Sequence, residues 1–447
     1  MPPGRGRQQG SAPERAPEHR RRPRGARRRL ALAGLAVTVA AGAAACSSAS
    51  GSDRETLVWL INPDSGGQAK VAENCSTDRY RITTQVLPQD ASQQRIQLIR
   101  RLAAGDSGFD LMSIDPPFTA ELANADYLAP LPDDLQQKLR EQSFQGAAEA
   151  ATWQGKLVVA PFWSNTQVLW YRKSFAEKAG LDLADGKPVT WDQLIDAASK
   201  DGGTVAVQAN KYEGYVVWIN SLIAGAGGQI ASDTDQGADL SVDIDSDAGR
   251  AAAGVIEKLA RSKAAPPDLS VSTEGTAAAT FGSARGAFMT SWTYIWTNYD
   301  ASQPAVKRDL GYTRYPRTVA GEPSQPPYGG IGIGVSRFSQ HTDDAVAAVA
   351  CLTSAENQGV NAEITGNMPA SSGGYDYPPL RKIYPQDLLD LFQSSLEDAA
   401  PRTVTPYWSD ISGAIQSTWH PPASVDEDTP GRSASFIEDI LQGRKLL

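Results

Sequence analysis

Between residues 56 and 114 the apolar residues change their period repeatedly, and this alternation limits the folds open to the chain. Residues 56–61, Thr-Leu-Val-Trp-Leu-Ile, form an apolar strand run, and Asn62-Pro63-Asp64-Ser65-Gly66-Gly67 is a loop leading into helical spacing through Val71 to about Cys75. A second strand run at 80–87 precedes a helix at 91–104 that carries Ile96, Ile99 and Leu102 on one face, and 109–114 is a third, buried strand. Strand, helix, strand, helix, strand predicts a parallel sheet covered on both faces. Ligands of such sheets bind beyond the carboxyl ends of the strands, where Asp64 and Asp115 both stand.

Residues 161–171, Pro-Phe-Trp-Ser-Asn-Thr-Gln-Val-Leu-Trp-Tyr, read as one strand with a polar joint. The apolar flanks can each pack into a sheet, but Ser164, Asn165 and Thr166 need polar partners. The joint is therefore expected where the chain passes between two cores and meets water or a ligand; the plainer alternative is a single strand with Asn165 and Thr166 facing solvent. Further strands are expected at 205–208, 287–291, 309–315 and 331–335. Helices are expected at 214–224, 247–263, 276–281, 343–352, 385–395, 408–419 and 433–441, and another runs to residue 199 behind Thr190 as its N-cap. The 447 residues exceed what one hydrophobic core covers, which predicts two lobes.

The first 45 residues are read apart from the fold. They hold ten Arg against Glu14 and Glu18, and the basic run 20–29 is followed by a short apolar stretch at 30–45, too short to span a membrane. Ala43-Ala44-Ala45-Cys46 then resembles a bacterial lipobox, so residues 1–45 are expected to be a signal peptide, Cys46 the lipidated residue that anchors the chain to a membrane, and 47–55 a tether. Without this segment the formal charge deepens from −9 to about −17, which argues against a nucleic-acid partner. Of the three cysteines, Cys75 and Cys351 remain as an even pair, expected to form a disulfide in an oxidising compartment rather than to stay as two thiols. With only His341 and His420 beyond the leader, a histidine metal site or a Ser-His triad is poorly supplied, and neither metal, cofactor nor catalytic residue is expected.

Carboxylates and rings recur at predicted strand ends and helix starts. Asp115 follows a strand, Glu274 opens a helix, and Trp292, Tyr294 and Trp296 cluster after a short strand. Each has a plain reading: Asp115 and Glu274 as helix-start charges, Trp292 as core, Arg402 as a surface ion pair.

The order of elements resembles the extracellular solute-binding proteins of sugar ABC importers, with an α/β two-lobe periplasmic-binding-protein-like fold in which each lobe is a mainly parallel sheet flanked by helices. Within that family the stretches at 94–102, 110–115, 165–171 and 207–214 are similar to the trehalose-binding lipoproteins of actinobacterial trehalose-recycling importers, which also have cysteines at the positions of Cys75 and Cys351. The resemblance implies three interlobe crossings, near residues 165, 290 and 334. One lobe would hold 56–165 plus 290–333, the other 166–289 plus 334–447. It implies a monomer that captures a disaccharide, most plausibly trehalose, and delivers it to permease subunits driven by a cytoplasmic ATPase. By position it implies sugar contacts at Asp115, Asn165, Glu274, Trp292, Gly330 and Arg402, with Asp64, Gln94 and Tyr407 as outer contacts. The rival reading is an extracellular glycosidase that uses Asp115 and Glu274 as its carboxylate pair.

Overall fold

The computed structural model describes residues 54–300 and 302–447. The expected signal peptide, Cys46 and all of the tether but its last two residues lie outside them. The alternating segment folds as β1 (Glu55–Ile61), α1 (Gly67–Asn74), β2 (Tyr80–Val86), α2 (Ala91–Ala103) and β3 (Leu111–Ile114). Asp90 caps α2, its carboxylate accepting from the Gln93 amide at 2.9 Å. β1 lies between β2 and β3 and is parallel to both. Its near-continuous apolar run explains this central placement: Leu57 and Trp59 are fully buried, and Leu60 and Ile61 nearly so.

The long strand β4 (Ala160–Arg172) changes partners along its length. Residues 160–166 pair antiparallel with β8 (Tyr328–Val335), which pairs in turn with β3. Residues 167–172 pair instead with β6 (Gly286–Trp292) and with β7 (Leu310–Thr313), and β6 pairs parallel with β5 (Thr204–Ala206). The eight strands thus run β2-β1-β3-β8-β4-β6-β5, with β7 on the other side of β4. In each half a single strand opposes the rest, β8 in the first and β4 in the second. The helices that follow lie on the sheet faces. α3 (Trp191–Asp201) starts at a Thr190–Gln193 capping box and packs beside β5, and its Trp191 ring meets Trp218 of α4 (Glu213–Ala224) with centroids 5.4 Å apart. Trp170 of β4 is fully buried on the opposite face, with Met289, Phe281 and Phe392 in the same cluster.

The expected division at residues 290 and 334 is corrected by the strand pairing. β6 and β7 both bond to the second half of β4, so 286–313 belongs with the second sheet. β8 belongs to the first, and so do α6 (Thr342–Leu352), packed beside β8, and α7 (Ala355–Thr365), packed on α1, whereas α5 (Glu274–Phe281) precedes β6 and packs on it. The chain crosses within β4, again between β7 and β8, and again after α7, where the Ser164 amide donates to the Met368 carbonyl at 3.0 Å. It then enters α8 (Gln386–Glu397), whose Phe392 meets Trp170 at 6.2 Å. The physical reason is that strand pairing is non-local, so a strand's sheet is set by a partner far away in sequence. β1 also begins at Glu55, inside the expected tether.

Cys75, at the end of α1, is bonded to Cys351 on α6, with Cα atoms 5.8 Å apart. A soluble domain starting near residue 47 should therefore take up no alkylating label before reduction and two labels per chain after it, read by mass. Label on either cysteine without reductant would contradict the bond.

Candidate functional site

The carboxyl ends of β1 and β3, the joint of β4 and the start of β8 face the ends of β6, α4 and α5 across a cleft of about 970 Å³, counted out to its open mouth. Asp115, Asn165, Glu274, Trp292, Gly330 and Arg402 all line it, and Gln94 lies at its edge. Asp64 and Tyr407 are not part of the lining. Both Asp64 oxygens are engaged at the start of α1: one accepts from the Gly66 amide at 2.9 Å, the other from the Gln68 amide at 2.9 Å and the Gln68 side chain at 3.1 Å. Tyr407 precedes α9 (Trp408–Trp419), and its amide donates to the Thr405 hydroxyl at 3.3 Å.

The joint is held by Asn165 and by Ser164, whose hydroxyl lies 3.1 Å from that of Tyr328, while the Thr166 hydroxyl is buried without a partner. Asn165 accepts at Oδ1 from the Met368 amide at 2.9 Å and from the Thr293 hydroxyl at 3.1 Å, and its Nδ2 donates to Asn367 Oδ1 at 2.9 Å. Thr293 also donates to the Gly366 carbonyl at 2.7 Å. One amide side chain therefore ties together the β4 joint, the end of β6 and the last crossing, a job no apolar residue can do. Opposite Ser164, Gly330 sits at φ 150°, and a Cβ there would lie 2.4 Å from the Trp163 carbonyl. Only glycine allows this approach of β8 to β4. A Cβ on Gly329 would fall 2.7 Å from the indole ring of Trp292, so that ring lies against bare backbone at the cleft wall.

The charges in the cleft are uneven. Arg402 donates from Nη2 to Asp115 Oδ1 at 2.7 Å and from Nη1 to Glu213 Oε1 at 2.8 Å. Burial pushes the Asp115 carboxyl above its ordinary range against the pull of Arg402, and the Glu213 charge adds to the rise. Burial also works against the Arg402 charge, but Asp115 and Glu213 outweigh it and raise its pKa. Glu274, the first residue of α5, has its carboxyl raised chiefly by burial, with the charges of Asp90 and Asp115 adding to it. Burial and the neighbouring Glu274 likewise hold the Tyr212 hydroxyl well above its usual range. One cation thus stands among the four carboxylates Asp90, Asp115, Glu213 and Glu274, an array rich in hydrogen-bond acceptors.

Sequence reasoning missed several lining residues. Asn62 lies at the end of β1, two positions before the residue chosen there; it donates to Gln94 Oε1 at 2.7 Å, and its own Oδ1 is buried without a partner. The rule that ligands gather beyond strand ends points to Asn62 as readily as to Asp64. Tyr212 and Glu213 fall inside the 207–214 stretch, which was read for resemblance and not for chemistry. Tyr294 stands out only as one ring of the cluster at 292–296, and Asp90, Trp163 and Asn367 give no local signal.

The family model for bacterial extracellular solute-binding proteins matches residues 66–359, about two thirds of the chain. The chain belongs to that family. It is a solute-binding protein and not an enzyme, which sets aside the glycosidase alternative, and the family's place is outside the cytoplasm. Among curated relatives, a probable ABC transporter-binding protein of Deinococcus radiodurans is 23% identical over 372 residues, covering 79% of this chain and 84% of the relative. Maltose-bound MalE3 of T. maritima superposes with a TM-score of 0.76 at 22% identity, over 86% of this chain and 99% of that one. The GacH receptor of Streptomyces glaucescens, solved unliganded and with acarbose, gives 0.73 at 20% identity, over 87% of this chain and 98% of that one. At these identities the structural likeness speaks for the two-lobe fold of this solute-binding protein.

Proposed function

We propose that this solute-binding protein captures a disaccharide, trehalose, outside the membrane and hands it to the permease subunits of an ABC importer. The observation that carries the reading is the cleft itself. Carboxylates from both lobes, one fork-shaped donor and the Trp292 ring converge between two sheets that share β4, which changes partners at a polar joint. Acceptors and a donor fork suit paired sugar hydroxyls, and a ring at the wall suits a pyranose face. The relatives named above are an ABC transporter-binding protein by name and sugar-bound proteins of the same fold. Asp115, Asn165, Glu274, Trp292, Gly330 and Arg402 are the proposed contact set. Lobe closure around the crossings would bring both halves onto the sugar, and the closed form is the one a permease would read. In the same proposal the thiol of Cys46 carries the lipid that holds the monomer at the membrane.

Thermal unfolding of the soluble domain against trehalose, maltose, sucrose, cellobiose and monosaccharides tests this. A ligand that binds only the folded state raises the midpoint, by about 2.7 kcal/mol of stabilisation at one hundred times its Kd. The expected result is a shift with trehalose and none with monosaccharides. A shift with another disaccharide alone would change the cargo, and no shift with any sugar would overturn the reading.

A further inference from the structure

Arg402 is held from both lobes at once. Asp115 follows β3 of the first sheet, whereas Glu213 opens α4 on the second, and the guanidinium spans them at 2.7 and 2.8 Å. The side chains of Arg402 and Glu213 are 5% and 4% exposed. Glu213 stands at a helix start, yet its carboxylate caps no backbone amide there. Oε1 accepts from Arg402 and from Trp408 Nε1 at 2.8 Å, and Oε2 accepts from the Ser412 hydroxyl. All three donors come from the segment 402–412, which runs past the crossings: Ala400 bonds to Pro326 and Tyr328, and the Pro401 carbonyl accepts from Asn220 of α4 at 3.2 Å. A buried charge triad gains little net stability over an apolar one, so its presence calls for another use.

We propose that Glu213 is the positioning residue of the cleft. It carries Arg402 across to Asp115, and that pairing is a latch which draws the lobes together before ligand arrives. The guanidinium has five donors, of which Glu213 and Asp115 take two, and the latch leaves the others for a ligand in the cleft that Arg402 lines. This last step rests on the sugar-binding reading above; the latch does not.

Small-angle X-ray scattering of the ligand-free soluble domain reads the latch without any sugar. E213Q keeps the shape of the side chain and an oxygen for Trp408, with its amide N–H donating to the Ser412 hydroxyl, but removes the charge that holds Arg402. R402K keeps the charge and loses the fork. Each should enlarge the ligand-free particle, and the E213Q/R402K double variant should open it no further than the larger single change. Trp408→Phe removes a structural partner of Glu213 without touching Arg402, and should leave the dimensions unchanged. With the sugar that stabilises the wild type, E213Q should bind about tenfold more weakly, the loss of one charge-assisted hydrogen bond, and that loss should vanish in the R402K background. The latch is overturned if E213Q leaves the particle unchanged, if the two single changes add, or if W408F opens it equally. A wild type that no sugar stabilises would remove the ligand half alone, because scattering still decides the latch.

Discussion

Arg402→Met should lower the stability of the ligand-free domain by about 3–5 kcal/mol, the cost of removing one partner from a buried ionic cluster. Methionine fills much of the same volume, so the loss comes from stranded charge and not from a void. Asp115 and Glu213 would remain as facing carboxylates with no cation between them. The pH dependence identifies the cause. The Asp115 carboxyl already sits above its ordinary range because of burial, and Arg402 is what restrains the rise. Without Arg402 its folded pKa moves further above the unfolded value of about 3.9. A carboxyl raised in the folded state costs nothing below the unfolded pKa, and the cost grows as pH climbs to the folded one. The gap in melting temperature between variant and wild type should therefore narrow on acidification from pH 7 toward pH 5. A gap independent of pH would place the loss in packing.

The same residue shows what the sequence could and could not convey. That 402 is arginine and that 115 and 213 are acidic is plain in the chain, but their convergence depends on three elements separated by about 100 and 190 residues. The strands and helices were legible because their signals are local: an apolar run in 56–61, a capping box at Thr190, apolar spacing in 408–419. The joint of β4 was legible for the same reason, three polar residues in an apolar run. The helix Ala355–Thr365 was not, because its inward face carries Asn357, Gln358, Gly359 and Asn361 in place of apolar residues, so the hydrophobic period is absent where the burial is greatest. The lobe division was misplaced for a different reason. Residues 310–313 read as a strand, but nothing in them says that their partner is Leu169–Arg172 and not β3.

Trp292→Ala should weaken sugar binding about 100-fold while the ligand-free domain still folds. The ring is half-buried, ends β6 and rests on Gly329, so its inner edge meets backbone while its remaining surface borders the cleft. Its neighbours in the chain are engaged elsewhere: the Ser291 carbonyl accepts from Trp170 Nε1 at 3.0 Å, and Thr293 bonds to Asn165. These bonds use the backbone of one neighbour and the hydroxyl of the other, and neither needs the indole. Truncating a large ring at a binding hot spot removes at least about 2 kcal/mol, and a pyranose face left uncovered regains water in its place. Trp292→Phe should recover part of the affinity, because a smaller ring still offers a flat face. Titration calorimetry on the three proteins, with unfolding curves to show that each is folded, separates the two roles of the ring. If affinity holds while the unfolding midpoint falls, the indole serves to seat β8 through Gly329, and the sugar platform must be sought among Trp163, Tyr212 and Tyr294.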